Sequence, residues 1–243
     1  MPTGSPFTRT QPAPKATSTE QSPISSGRPP GLSSTRPPEV VGVLLAGGRA
    51  RRMGGGDKAL QTIAGRPMLD LVIERASPQV SALVINAGGD AARFASFGLP
   101  VAADVVGGFA GPLAGVLTGM MWARDNAPQC RWIVSIATDT PLFPHDLVAR
   151  LLVAVADDRV DLACAASGRR AHPVFGLWPL RLLDDLRVAL VEEGLRKIAA
   201  WTARYQLATV SFDAEPFDPF FNVNTPEDLE DAARLLGSAR DNP

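Results

Sequence analysis

The sequence predicts an α/β protein: a single Rossmann-like, doubly wound domain built on a mostly parallel sheet. Three observations carry that expectation. Short runs rich in Val and Ile at residues 40–46, 82–86 and 131–137 each lead into turn residues, as strands covered on both faces do. Between them, residues 67–77 (PMLDLVIERAS) and 112–125 place apolar side chains at helical spacing, and the first opens on a proline, which a helix tolerates in its first turn. Strand–helix–strand units in one sheet cross over right-handedly, which puts the ligand crevice at the carboxyl ends of the strands. Residues that directly follow a strand are therefore the candidates for chemistry.

Taken in order, residues 1–38 are dense in Pro, Ser, Thr and Gly and read as a disordered tail, because they bury too little apolar surface to offset chain entropy. They lack the roughly 7–15-residue apolar core of a secretory signal, and their scattered arginines leave an organellar transit peptide as the alternative. Residues 105–123 (VVGGFAGPLAGVLTGMMWA) carry no charge over a length near that of a membrane span. Gly107, Gly108, Gly111 and Pro112 make the first half a poor membrane helix, so a loop leading into a buried helix is expected. The 243 residues, 45% hydrophobic and 20% charged, suffice for one sizeable core. With 24 Lys+Arg against 25 Asp+Glu and a net charge of -1, no global field draws the chain to nucleic acid or an anionic membrane, and any anion site is local. Cys130 and Cys164 stand far apart with no C-x-x-C pair, which argues against a disulfide scaffold or structural zinc and fits a cytoplasmic protein.

The end of the first predicted strand is the most informative stretch. Val43 to Lys58 (VLLAGGRARRMGGGDK) turns from core directly into glycine and positive charge. Gly47 and Gly48 allow the backbone to approach a ligand so that consecutive N–H groups converge on phosphate. Arg49, Arg51, Arg52 and Lys58 add charge, arginine as a bidentate fork and lysine as a point charge. The spacing is neither G-x-G-x-x-G nor G-x-x-x-x-G-K-[ST], so neither dinucleotide nor Walker loop applies; a solvated glycine–arginine turn is the bland alternative.

Leu45-Ala46-Gly47-Gly48, Arg52-Met53-Gly54 and Asp57-Lys58 resemble the signature L-x-G-G-x-x-x-R-M-G-x-x-D-K of nucleotidyltransferases that activate sugars, isoprenoid precursors and molybdopterin. Within that superfamily the chain most resembles the molybdenum cofactor guanylyltransferase (MobA) family. Gly111-Pro112-Leu113-Ala114-Gly115, Asp139-Thr140-Pro141 and the run from Asn222 to Leu229 (NVNTPEDL) match further motifs in the family's order. The likeness covers residues from about 41 to 236. It implies a nucleotide-diphospho-sugar transferase-like fold over residues 39–243, with a nucleotide-binding half at about 39–142 and an acceptor-binding half at about 143–236. It also implies transfer of GMP from GTP to the terminal phosphate of molybdopterin, or Mo-molybdopterin, with release of pyrophosphate and with Mg²⁺ as cofactor. Molybdoenzyme chaperones are the downstream partners such a product suggests.

Within that resemblance, Lys58 and Arg52 are the expected catalytic residues, neutralising charge on the phosphates as an already ionised acceptor attacks. Nucleotide contacts are expected from Leu45, Ala46, Gly47, Gly48, Lys58, Asn86, Asp104 and Asp139. Asp139 follows a strand and is the expected metal ligand, since Mg²⁺ commonly takes one or two carboxylates plus phosphates and waters. A turn, or an N-cap for a helix over residues 141–147, is its other reading. Asp104 is a second candidate beside Asp139; Asn224, ahead of Asn222, is a candidate for holding metal or phosphate, and Thr225 with Asp228 forms a capping-box-like helix start. His172 is read as structural rather than catalytic, because an ionised phosphate needs no general base. Arg169, Arg170, Arg196 and Lys197 are candidate acceptor contacts, the last two on a helical stretch over 195–203 whose charges would otherwise simply be solvated.

Two alternatives remain at this stage. A cytidylyltransferase, or an enzyme with another phosphate acceptor, would keep the same machinery, and Leu-Ala-Gly-Gly instead of Ala-Ala-Gly leans towards guanine. A non-catalytic nucleotide-binding regulator would not need Lys58 and Asp139 together.

Overall fold

The computed structural model describes residues 39–47, 57–107 and 111–240. Its elements, in chain order, are β1 (Val40–Leu45), a short hairpin of β2 (Thr62–Ile63) and β3 (Arg66–Pro67), α1 (Met68–Ala76), β4 (Ala82–Asn86), β5 (Val101–Ala102), α2 (Pro112–Asn126), β6 (Trp132–Ala137), α3 (Leu147–Ala154), β7 (Leu162–Ser167), β8 (Arg170–Pro179), α4 (Leu183–Val191), α5 (Ile198–Thr202), β9 (Leu207–Phe212) and α6 (Pro226–Arg240). Seven strands form one sheet in the order β5-β4-β1-β6-β8-β7-β9. The α/β class and the parallel half match the sequence-based expectation: β5, β4, β1 and β6 run parallel, joined by helical crossovers.

β1 is apolar on both faces because both are covered. Val40 and Leu44 point into a layer with Leu69 and Val72 of α1 and Leu147 and Leu151 of α3. Val41 and Val43 point the other way, into α2 and the α4–α5 pair. The strand period of two sends alternate residues to opposite faces, and each buried aliphatic side chain contributes about 1.5–3 kcal/mol. α2 lies unusually close to β1, since a Cβ on Gly119 would sit 2.3 Å from a Val43 methyl.

The sheet departs from full parallelism at β8. β7 and β8 are joined by a tight turn with Gly168 at φ +54, so they must pair antiparallel. β8 then pairs antiparallel with β6, but only through Leu177–Pro179 against residues 132–134. Beyond Val134 no β6–β8 pairing follows, and the register against β7 slips between Cys164 and Ala165. A crevice opens between the carboxyl end of β6 and the first half of β8.

Two local expectations are corrected. Asp139 caps no helix, because residues 139–146 are turns and α3 starts only at Leu147; Pro141 and Pro144 remove two backbone donors from that segment. The helix expected over 195–203 shrinks to α5, with Lys197 extended at its start and Arg196 outside it. Arg196 turns back to donate to the carbonyls of Leu190 (2.7 Å) and Leu195 (2.9 Å), so its guanidinium closes the end of α4 instead of lying on a helical face.

Candidate active site

The carboxyl ends of β1, β4 and β6 are tied together before any ligand arrives. Ala46 N–H donates to Asn86 O at 2.9 Å, and Thr138 Oγ1 donates to Leu45 O at 3.1 Å. Asn86, buried at the end of β4, donates through Nδ2 to Asp104 Oδ1 (2.9 Å) and Ala102 O (3.2 Å). That amide holds the Asp104 carboxylate beside the crevice. Val105 N–H on Thr118 Oγ1 at 3.1 Å pins the next residue to α2. α2 reaches this corner because its fourth residue is glycine: a Cβ on Gly115 would fall 2.4 Å from Asn86 Oδ1 and 2.5 Å from Leu45 Cδ2.

Three distant segments meet at the centre. Lys58, just after the segment that follows β1, places Nζ 2.6 Å from Asp139 Oδ2 and 2.6 Å from Asn224 Oδ1. The ion pair is mostly sheltered, with the lysine side chain only 12% exposed. Asp57 sets that lysine: its Oδ1 accepts from Ala59 N–H, and its Oδ2 takes Arg93 Nε at 2.8 Å. The carboxyl-terminal segment is held on by Val223 N–H to Asp139 O (2.8 Å) and by Thr140 Oγ1 to Asn222 Oδ1 (2.6 Å). α6 anchors it from behind, with Val223 and Ala232 packed on Ile63, Met68 and Leu71. The capping box forms as expected: Asp228 Oδ2 accepts from Thr225 N–H (2.9 Å), and Thr225 Oγ1 accepts from Asp228 N–H (3.2 Å).

Asp139 and Asn224 offer two hard oxygens that already converge on one cation, the Lys58 ammonium. That donor set fits a divalent oxygen-seeking ion whose remaining ligands are phosphates and waters. Among the described residues no group of three or more His, Cys, Asp or Glu could form a dedicated protein cage, so any such ion would share its sphere with substrate.

A cavity of about 450 Å³ spans both sides of this centre. One wall carries Leu45, Gly47, Lys58, Asn86 and Asp104; Asp139 lies at the middle; the opposite wall is β8 from Arg170 to Phe175. A MobA-like NTP transferase domain matches residues 42–208 of the chain. The chain belongs to the MobA-like NTP transferase family. Members of this family are its near relatives: a molybdenum cofactor guanylyltransferase of Bradyrhizobium sp. strain ORS 278 is 55% identical over 204 residues, 84% of this chain and 96% of that one. The namesake in Rhodopseudomonas palustris strain BisB5 is 54% identical over 198 residues, covering 82% and 94%. The fold is shared more widely. Molybdopterin-guanine dinucleotide biosynthesis protein A of Archaeoglobus fulgidus superposes with a TM-score of 0.64 at 23% identity, covering 82% of this chain and 99% of that one. A CMP:2-keto-3-deoxy-manno-octonic acid synthetase complexed with CTP gives 0.61 at 15% identity, with the same coverage.

Of the residues expected from the MobA-like resemblance, the structure gathers Leu45, Gly47, Lys58, Asn86, Asp104 and Asp139 on one cavity and brings Asn224 to it through Lys58. Ala46 is different. Its methyl is buried and its N–H is already spent on Asn86, leaving only its carbonyl. Arg52 and Gly48 lie outside the described residues. Sequence reasoning missed Arg93, Thr140, Ser167 and Asp218, which hold functional groups from behind. Their partners are 36 residues away for Arg93 and 82 for Thr140, so no local spacing marks them.

Proposed function

We infer that this nucleotidyltransferase moves GMP from GTP to the terminal phosphate of molybdopterin. An oxygen of the acceptor phosphate attacks the α-phosphorus of GTP, the bond from that phosphorus to the bridging oxygen of the β-phosphate breaks, and pyrophosphate leaves. The observation that carries the reading is the meeting of Lys58, Asp139 and Asn224 at the strand ends. The names and near-complete coverage of the relatives supply the acceptor. No protein nucleophile is required, because the attacking phosphate is ionised, and catalysis reduces to positioning and charge neutralisation.

Each group then has a part. Lys58 exchanges its contact with Asp139 for the triphosphate and stabilises the charge that develops as pyrophosphate departs, helped by Arg52. Asp139 and Asn224 would hold Mg²⁺, which would supply Lewis-acid polarisation of the phosphates when bound. A related structure is described as a manganese complex, which supports a divalent-ion site in this fold. Asp104, kept in place by Asn86, accepts from the N1–H and amino group of guanine, donors that cytosine does not present in that pairing. Gly47 and Gly48 offer backbone to the phosphates. The nucleotide side is thus the part of the chain from about 39 to 142, and the acceptor side that from about 143 to 236. Residues 1–38 take no part, and their deletion leaves turnover intact. We place the enzyme in the cytoplasm, where reducing conditions suit the free thiols of Cys130 and Cys164, and its product passes on to molybdoenzymes or their chaperones.

Pyrophosphate release with Mg²⁺, molybdopterin and GTP, CTP or ATP in parallel tests the reading. Turnover is expected with GTP alone. A CTP preference would move the protein to cytidylyl transfer, and GTP binding without turnover would leave it a regulator.

A further inference from the structure

Beside the turn from β7 to β8 lies a largely buried polar chain that the phosphate chemistry does not use. Ser167 Oγ lies 2.7 Å from His172 Nε2 and donates to Asp218 Oδ1, also at 2.7 Å. Asp218 Oδ1 takes Phe220 N–H as well, at 2.9 Å, so this carboxylate oxygen is committed to accepting. A serine hydroxyl has one proton, and that proton faces Asp218. Ser167 Oγ can therefore only accept from the imidazole, which fixes the hydrogen of a neutral His172 on Nε2 and leaves Nδ1 as a bare lone pair. Phe220, stacked on the ring at 4.5 Å between centroids, fixes its plane.

Among the described residues Nδ1 has no hydrogen-bond partner, and none of their buried side-chain nitrogens or oxygens is left unpaired. His172 is one of the residues that line the cavity, on the β8 side. Burial pushes His172 below its ordinary value of 6.5 against the opposing pull of Asp218, which keeps the ring neutral at physiological pH.

We propose that His172 is a specificity residue of the acceptor side, presenting Nδ1 as a hydrogen-bond acceptor to an N–H of the pterin ring, and that Ser167 and Asp218 are its positioning residues. The proposal rests on the acceptor assigned above. A pterin carries ring N–H and amino donors, so an imidazole held as an acceptor pairs with that edge, whereas an imidazole held the other way round would pair only with the ring carbonyl or an unprotonated ring nitrogen. The locked tautomer thus adds recognition without adding charge next to the reacting phosphates.

The chain has two histidines, so ¹⁵N-histidine labelling gives a spectrum that His172→Phe assigns. The expected result for the wild type is protonated Nε2 and bare Nδ1, with the Nδ1 resonance shifting on addition of molybdopterin. In turnover assays His172→Phe is expected to raise the KM for molybdopterin about tenfold, the worth of one hydrogen bond, with kcat at saturating acceptor and GTP affinity within about twofold of wild type. Ser167→Ala, which frees the tautomer, is expected to raise the same KM about threefold. An Nδ1–H tautomer in the wild type, or an unchanged acceptor KM in a folded His172→Phe variant, overturns the proposal. Should that variant not fold, exposed His145→Gln assigns the two resonances instead, and the wild-type spectrum with and without molybdopterin still decides. Wild-type turnover with an unaltered KM in the variant sinks the His172 role alone, whereas absence of any wild-type turnover with GTP and molybdopterin sinks the guanylyl-transfer reading.

Discussion

The two sides of the cavity are built by different physics. On the proposed nucleotide side, parallel strands end together, and backbone bonds and glycines set the distances: Ala46 to Asn86, Thr138 to Leu45, and Gly115 against Asn86. On the proposed acceptor side an antiparallel strand diverges from β6, and side chains from several segments are packed together: Ser167, His172, Asp218 and Phe220. The first wall is specified by short contiguous motifs, the second by contacts scattered along the chain. Perturbing the first should cost nucleotide handling, and perturbing the second should cost acceptor handling.

The largest expected effect lies where the two sides meet. Lys58→Ala removes a preorganised charge worth about 2.7–4 kcal/mol of barrier, so kcat should fall roughly 10²–10³-fold; near-normal turnover would break the mechanism on both sides at once. Gly115→Ala comes next, because its methyl would have to displace Asn86 and Leu45. Overpacking of this kind costs about 1–3 kcal/mol, and calorimetry should show weaker GTP binding while the acceptor KM holds; an equal loss on both substrates would erase the distinction between the walls. Arg93→Ala strips the partner from a sheltered Asp57 and loosens Lys58. A loss of about 1–2 kcal/mol in stability by urea titration is expected, discounted for the partial exposure of the pair, with a several-fold drop in kcat.

The smallest effect is a pH dependence. Both His172 and His145 are lowered from 6.5, mainly by burial. Below pH 6.5 the unfolded chain binds more protons than the folded one, so stability is full above 6.5 and declines as pH falls towards the folded values. His172→Phe should flatten this decline and leave only the contribution of His145, which thermal melts across pH would reveal; an unaltered slope would mean that the acceptor wall holds no buried neutral imidazole.

This contrast also explains what could be read beforehand. β1, β4 and β6 were legible because both faces of each strand are buried and the runs are almost wholly apolar. Lys58, Asn86, Asp104 and Asp139 were legible because each belongs to a local motif or follows a strand. The β7–β8 reversal was not, since it depends on one turn around Gly168 and on which neighbour β8 then finds. His172 was visible as a residue but not as a tautomer, because Asp218 lies 51 positions beyond the serine that orients it. Arg196 read as a helical surface charge because nothing in its neighbours shows that α5 begins only at Ile198.

The clasp of Val223 on Asp139 and of Asn224 on Lys58, the latter pair 166 residues apart, also bears on how the enzyme is made. A ribosome delivers the chain amino end first, so the strands bearing Asn86 and Asp139 can assemble while residues 222–224 are still inside the exit tunnel. A chain truncated before Asn222 is expected to be inactive, as assay of a truncated protein would check, because docking of residues 222–224 is the step that arms the site.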